Sequence, residues 1–161
     1  MKPASHPTAL RTQQLLAEAG LQVQVVEFDQ PTRTSAEAAE AVGCAVAEIA
    51  KSVVFRNKAE GGAVVVVASG ANRVSEAKVA SVLGVRLGRA DADFVRESTG
   101  YVIGGVAPVG HANPVRIVLD QDLQLFETIW AAAGTPFSVF PLSPEHLKSL
   151  TGAVWADIRQ D

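Results

Sequence analysis

Hydrophobic and polar positions change period several times along the chain, and each change marks an element. From Thr8 to about Ala19 the apolar residues Leu10, Leu15 and Leu16 form one face of a helix, with Thr8 as its cap and Gly20 as its stop. "LQVQVVEF" follows, where Leu21, Val23 and Val25 alternate with Gln22 and Gln24, the period of a half-buried strand. After the loop "DQPTRT", Thr34 and Glu37 make a capping-box pattern that opens the helix "SAEAAEAVG". Gly43 separates it from a further helical turn through Ile49. "KSVVF" and "AVVVVAS" read as strands joined by the turn "NKAEGG". The unbroken valines of the second predict a central strand buried on both faces.

Downstream, Ser75 opens a helix to Leu83 and another short helix begins near Asp91. Tyr101, Val102 and Ile103 read as the start of a strand that breaks off into "GGVAPVGH". "VRIVLD", an extended "TIWAAAG", a "GTP" turn, "FSVF", a helix from Ser143 and a last strand near "AVWAD" complete the order. Hairpin-like pairs mixed with helical crossovers predict an α+β class. The expectation is a single domain over residues 1–161, with a mixed, strongly curved, barrel-like sheet flanked by helices.

Composition narrows the function. The 161 residues are 48% hydrophobic, enough for a core of their own. No apolar run approaches the ~20 residues that cross a bilayer, and "MKPASHPTAL" has no apolar signal core. The expected location is the cytoplasm, with no membrane partner. One cysteine, Cys44, cannot form an internal disulfide, and with three scattered histidines it gives no metal-ligand spacing. A net charge of −3 argues against broad affinity for nucleic acid, DNA included, and leaves room only for a small basic contact.

Several apparent motifs fail. "SEAK" matches S-x-x-K, but no K-T-G or S-D-N accompanies it, and Ser75 serves better as a helix cap. There is no G-x-S-x-G elbow, Walker loop or G-x-G-x-x-G, and no cofactor is expected. Asp120 and Asp122 suggest Mg²⁺ on spacing alone, yet a strand-ending aspartate before a turn explains them as well. His111 is either an acid/base or an exposed turn residue. Strand alternation places Lys51 beside Val53 and Phe55, either snorkelling to solvent or standing at a pocket rim. Arg33, Arg56, Lys58, Arg73 and Lys78 surround it in sequence, interleaved with glutamates. The stretch from Thr99 to His111 is stiff and bare, and such a loop can hold backbone groups against a ligand.

The ordered set "KSVVF", "GANR", "TGYVIGGVAPVGH", "VLD", "GTP" and "LTGAVWADI" resembles the YbaK/ProX family of free-standing aminoacyl-tRNA deacylases, relatives of the editing domain inserted in bacterial prolyl-tRNA synthetases. The resemblance implies an enzyme that hydrolyses the ester between a wrong amino acid and the terminal adenosine of tRNA. Its partners would be the aminoacyl-tRNA 3′ end and a synthetase. It also implies that Lys51 orients the 3′ end while the loop from Gly104 to Gly110, with Gly104 and Gly105 foremost, supplies backbone contacts at the ester. Thr32, Arg33 and Thr34, and Ser69 with Asn72 and Arg73, would border the pocket. Pro108, Gly110, His111, Asp120, Gly134 and Thr135 would complete the substrate surroundings. Some synthetase-linked relatives carry a histidine after the "GTP" turn, where this chain has "FSVF".

An activated ester needs positioned water and oxyanion stabilisation more than a side-chain nucleophile, so a missing triad fits this chemistry. The terminal ribose hydroxyl assists proton transfer in this scheme. Gly105→Val is expected to abolish turnover more than folding. Two other readings keep the same residues: a non-catalytic module that holds aminoacyl-adenosine or tRNA ends, and an interaction protein that pairs through the edge of "TIWAAAG". A small aliphatic pocket rejects bulk but separates single methyl groups by only ~1–3 kcal/mol, so alanine, serine, threonine, cysteine and their analogues all stand as the amino acid removed.

Overall fold

The computed structural model describes residues 1–161. Its first elements are β1 (Lys2–Pro3), α1 (Pro7–Glu18), β2 (Val26–Glu27) and α2 (Ser35–Val42), followed by a 3₁₀ turn at Val46–Glu48. Next come β3 (Ile49–Asn57), β4 (Ala63–Ser69), α3 (Glu76–Leu83), β5 (Leu87–Arg89) and α4 (Ala92–Thr99). The chain ends with β6 (Val115–Asp120), a 3₁₀ turn at Gln121–Leu125, β7 (Ile129–Ala132), β8 (Ser138–Leu142), α5 (Pro144–Thr151) and β9 (Val154–Ala156).

All nine strands join one mixed, curled sheet in the order β1-β2-β8-β7-β3-β4-β6-β9, with β5 attached to β3 off this path. The order is linear, and β1 and β9 stand at its two ends. β4 lies at its centre, antiparallel to β3 and parallel to β6. Every β4 residue is buried, as the valine run predicts. Alternation divides the run: Val65 and Val67 enter the larger core with Leu16 of α1 and Leu147 of α5, while Val64 and Val66 enter a second core with Val79 of α3.

The helix starts follow local chemistry. Thr34, Ser75, Asp91 and Ser143 each accept a hydrogen bond from the backbone N–H three residues on. Ser75 is thus a cap. At α1 the cap is His6 rather than Thr8: Pro7 has no N–H to satisfy, and His6 Nδ1 accepts from Thr8 N at 3.1 Å. The buried face of α1 is Ala9, Thr12 and Leu16, and Leu10 is exposed.

Two expected strands differ. Leu21–Val25 has the alternating burial of a strand but forms no ladder, and only Val26–Glu27 pairs, with β1 and β8. Val25 N instead donates to Gln13 Oε1 at 2.8 Å, which ties this segment to α1. Tyr101–Ile103 is not a strand either: α4 runs to Thr99, Gly100 terminates it at φ 81°, and the chain turns at once. "TIWAAAG" forms no open edge, because β7 lies between β3 and β8.

One detail of register positions the site. On the side of β3 away from β4, β7 pairs only with Ile49 and Ala50, and β5 only from Phe55 to Asn57. Lys51–Val54 therefore has a strand on one side and an opening on the other.

Candidate active site

That opening is the mouth of a cavity of about 710 Å³. Its floor is β3 from Ile49 to Val54, and its walls come from the start of α2, from Trp130, Ala132, Ser138 and Val139 on β7 and β8, and from two loops. Thr32, Arg33 and Thr34 form one rim. Thr32 N and Oγ1 both donate to the Pro136 carbonyl, at 2.9 and 3.1 Å. Glu37 Oε1 accepts from Arg33 N at 3.1 Å, so the rim is fixed from both ends. The lining carries Arg33 and Lys51 and no carboxylate, which makes the cavity a place for anionic or neutral ligands.

The opposite wall is the glycine loop. Tyr101 is buried and its hydroxyl donates to the Val109 carbonyl at 2.6 Å, joining the two ends of the loop. Gly105 N donates to Val102 O at 2.9 Å and closes a turn. The amides of Gly104 and Val106, both on the cavity wall, have no protein acceptor. Gly104 sits at φ 87°, a conformation that L side chains rarely adopt. Gly105 is glycine for a different reason: a Cβ there would lie 2.8 Å from Thr135 Cα and 2.9 Å from Thr135 N. Its bareness lets the glycine loop rest directly on the loop carrying Thr135 and Pro136.

Lys51 lies at the mouth, half-buried. Burial first and the nearby Arg73 charge second hold its ammonium below the ordinary lysine value, against the opposing pull of Asp120. Asp120 itself is buried at the end of β6. Its Oδ2 accepts from Ser69 N at 2.9 Å and Asn72 Nδ2 at 2.8 Å, and its Oδ1 accepts from Asp122 N at 2.9 Å. The carboxylate thus fastens the "GANR" loop to the sheet directly behind Lys51. Asp120→Ala takes the acceptor from three donors, of which the Ser69 amide is buried and Asn72 keeps Asp122, and is expected to cost about 3 kcal/mol, read as a lower urea midpoint with an unchanged slope. Wild-type stability in that variant would remove Asp120 from this role.

A family model described as the aminoacyl-tRNA editing domain matches residues 29–150, the segment that builds every wall of this cavity. The chain belongs to the aminoacyl-tRNA editing domain family. The editing domain is similar throughout to the crystal structure of a candidate trans-editing enzyme for prolyl-tRNA synthetase: TM-score 0.92, 42% identity, covering 98% of this chain and 100% of that one. It is 33% identical over 138 residues to the uncharacterized protein YwhH of Bacillus subtilis, covering 85% of this chain and 87% of YwhH. A third relative is the proline–tRNA ligase of Limosilactobacillus fermentum, 39% identical over 92 residues. That match spans 55% of this chain and only 16% of the ligase.

Within this editing domain the residues singled out from sequence fall into three groups. Thr32, Arg33, Thr34, Lys51, Gly104 and Thr135 line the cavity. Asn72 and Arg73 line a smaller groove beside it, with Lys51 shared between the two. The others stand behind. Ser69 and Asp120 are buried and hydrogen-bonded to each other at the ends of β4 and β6, and Gly105 is buried against the backbone of Thr135. A Cβ on Gly110 (φ 73°) would run into Leu15 and Tyr101, and one on Gly134 (φ 102°) into Thr8, Thr12 and Tyr101. Pro108 is buried in the loop. His111 Nε2 lies 2.8 Å from Ala107 O, and burial holds its imidazole below the usual value, which outweighs that contact. Of the other basic residues, Lys78 pairs with Asp157 at 3.0 Å and Arg56 sits 4.1 Å over the Phe94 ring.

Sequence reasoning missed Ser35, Ser52, Trp130 and Ser138 on the cavity wall. Trp130 faces β3 through the short parallel pairing Ile49↔Trp130, a contact across 81 positions of chain that no local pattern announces. Ser138 Oγ and Thr135 Oγ1 are 2.6 Å apart and buried, a hydroxyl pair in an otherwise apolar wall.

Proposed function

We propose that this editing domain is an aminoacyl-tRNA deacylase: it hydrolyses the ester joining a small amino acid to the 3′-terminal adenosine of a mischarged tRNA, without a covalent side-chain nucleophile. The observation that carries the reading is the wall around Gly104, where Gly104 and Val106, whose amides have no protein acceptor, line a cavity that Lys51 also lines. Preorganised N–H groups stabilise the oxyanion of an ester as it becomes tetrahedral. Water adds to the carbonyl and the bond to the ribose oxygen breaks. The ribose oxygen leaves with a proton passed on by the neighbouring ribose hydroxyl, which takes the water's proton in turn. Lys51 holds the phosphate side of the adenosine, and the aliphatic walls with Trp130 set an upper limit on side-chain size.

A panel of tRNAs charged with Ala, Ser, Thr, Cys or Pro, in matched and mismatched pairs, tests this. The expected result is selective loss of the ester from a subset of mismatched pairs at catalytic protein concentration. Folded protein that leaves every ester intact, yet binds the charged tRNA, would show a binding module instead. A synthetase partner is tested by the same panel with prolyl-tRNA synthetase added, which should raise the rate on tRNA specific for proline.

A further inference from the structure

The smaller groove beside the cavity takes no part in the ester chemistry above. It has a volume of about 440 Å³, and its lining includes Lys51, Val53, Phe55, Asn72, Arg73 and Val74. Lys51 belongs to both hollows, so a ligand running from one into the other passes over its ammonium.

The charges around the groove are unbalanced. Arg73 is exposed and forms no ion pair in the chain. The two nearby carboxylates are already engaged: Asp120 is buried by its three donors, and Asp122 accepts from Asn72 Nδ2 at 2.8 Å and stands 3.6 Å from Arg159. With Arg159 set against Asp122 and Asp157, Lys51 and Arg73 are the two cations that line the groove, and no carboxylate lines it. Phe55 is half-buried against the second core, and with Val53 and Val74 it gives the groove an apolar face. A ligand that fits has an anionic link beside a flat apolar group.

We propose that this groove holds the nucleotide preceding the terminal adenosine, with its base against Phe55 and its linking phosphate between Lys51 and Arg73. The inference rests on the reading that the large cavity takes the aminoacyl-adenosine end. Stacking on an aromatic face tolerates any base, while paired cations select the backbone. The groove thus makes the protein prefer a nucleic-acid end to a free aminoacyl nucleoside.

The dinucleotide CpA and adenosine, titrated separately while amide chemical shifts are followed, test the groove without any need for turnover. CpA should bind about tenfold or more tightly than adenosine and shift the amides of Phe55, Asn72 and Arg73, which adenosine leaves in place. Arg73→Ala removes only an exposed side chain and should cost most of that advantage, with adenosine affinity unchanged. Phe55→Leu, which keeps the apolar packing, should weaken CpA by a smaller factor. Equal affinity for CpA and adenosine, or equal weakening of both by Arg73→Ala, overturns the assignment. Inorganic phosphate competing as well as CpA also overturns it, by reducing the groove to a bare anion site. Deacylation is scored separately: hydrolysis without CpA preference removes the groove alone, and CpA preference without hydrolysis removes the enzyme reading alone.

Discussion

Lys51→Ala is expected to lower kcat/KM for aminoacyl-tRNA by about 10²- to 10³-fold, the loss that follows removal of one preorganised charge or donor from a desolvated site. Its folding should not suffer. Burial, and after it the Arg73 charge, disfavours the ammonium in the folded protein relative to the unfolded chain, and Asp120 offsets this only in part. The sign follows from linkage: a lysine with a lowered folded pKa destabilises at neutral pH, and that cost fades as pH rises through the lowered value. Deleting the amine relieves it. The melting temperature at pH 7 should therefore stay level or rise while activity falls. A variant that melts several degrees lower but deacylates at the wild-type rate would show that Lys51 is a structural residue.

Gly105→Ala is the second large effect, and it acts on structure and turnover together. One methyl group is enough, because the added Cβ meets the backbone of Thr135 rather than a side chain that could turn away. The two loops must separate. Overpacking of this kind costs about 1–3 kcal/mol, and a displacement of about 1 Å at a reacting centre costs about 10²-fold in rate. Gly105→Val is more severe on the same contact, so folding as well as turnover is expected to suffer, rather than turnover foremost. Measuring kcat well below the lowered melting temperature separates the two losses. A stable Gly105→Ala variant with the wild-type rate would show that the loop contact does not position the site.

What was legible in the chain was local. The four helix caps at Thr34, Ser75, Asp91 and Ser143 needed only one hydroxyl or carboxylate and the amide three residues on. β4 was legible because a strand buried on both faces has no polar alternation to preserve. The failures are long-range. Tyr101 reads as a strand residue because it is aromatic and apolar neighbours follow it, but its burial serves to close a loop onto Val109. Leu21, Val23 and Val25 alternate because they cover α1 and the core, not because another strand runs alongside. The cavity itself was visible only as its rim: Lys51, the threonines and the glycines. Its depth depends on Trp130 and Ser138 arriving from strands far along the sequence.

The interrupted pairing along β3 also bears on solubility. An unpaired strand edge invites another chain to dock, and "AVVVVAS" next to it is the kind of segment that feeds aggregation. Here the exposed stretch is confined to Lys51–Val54, sits under the glycine loop, and begins with a charge. The outer edges are blunt as well: β1 has two residues, one of them Pro3, and β9 has three. The gap is too short and too enclosed to accept a foreign strand, so this open stretch of sheet edge offers no template for fibres.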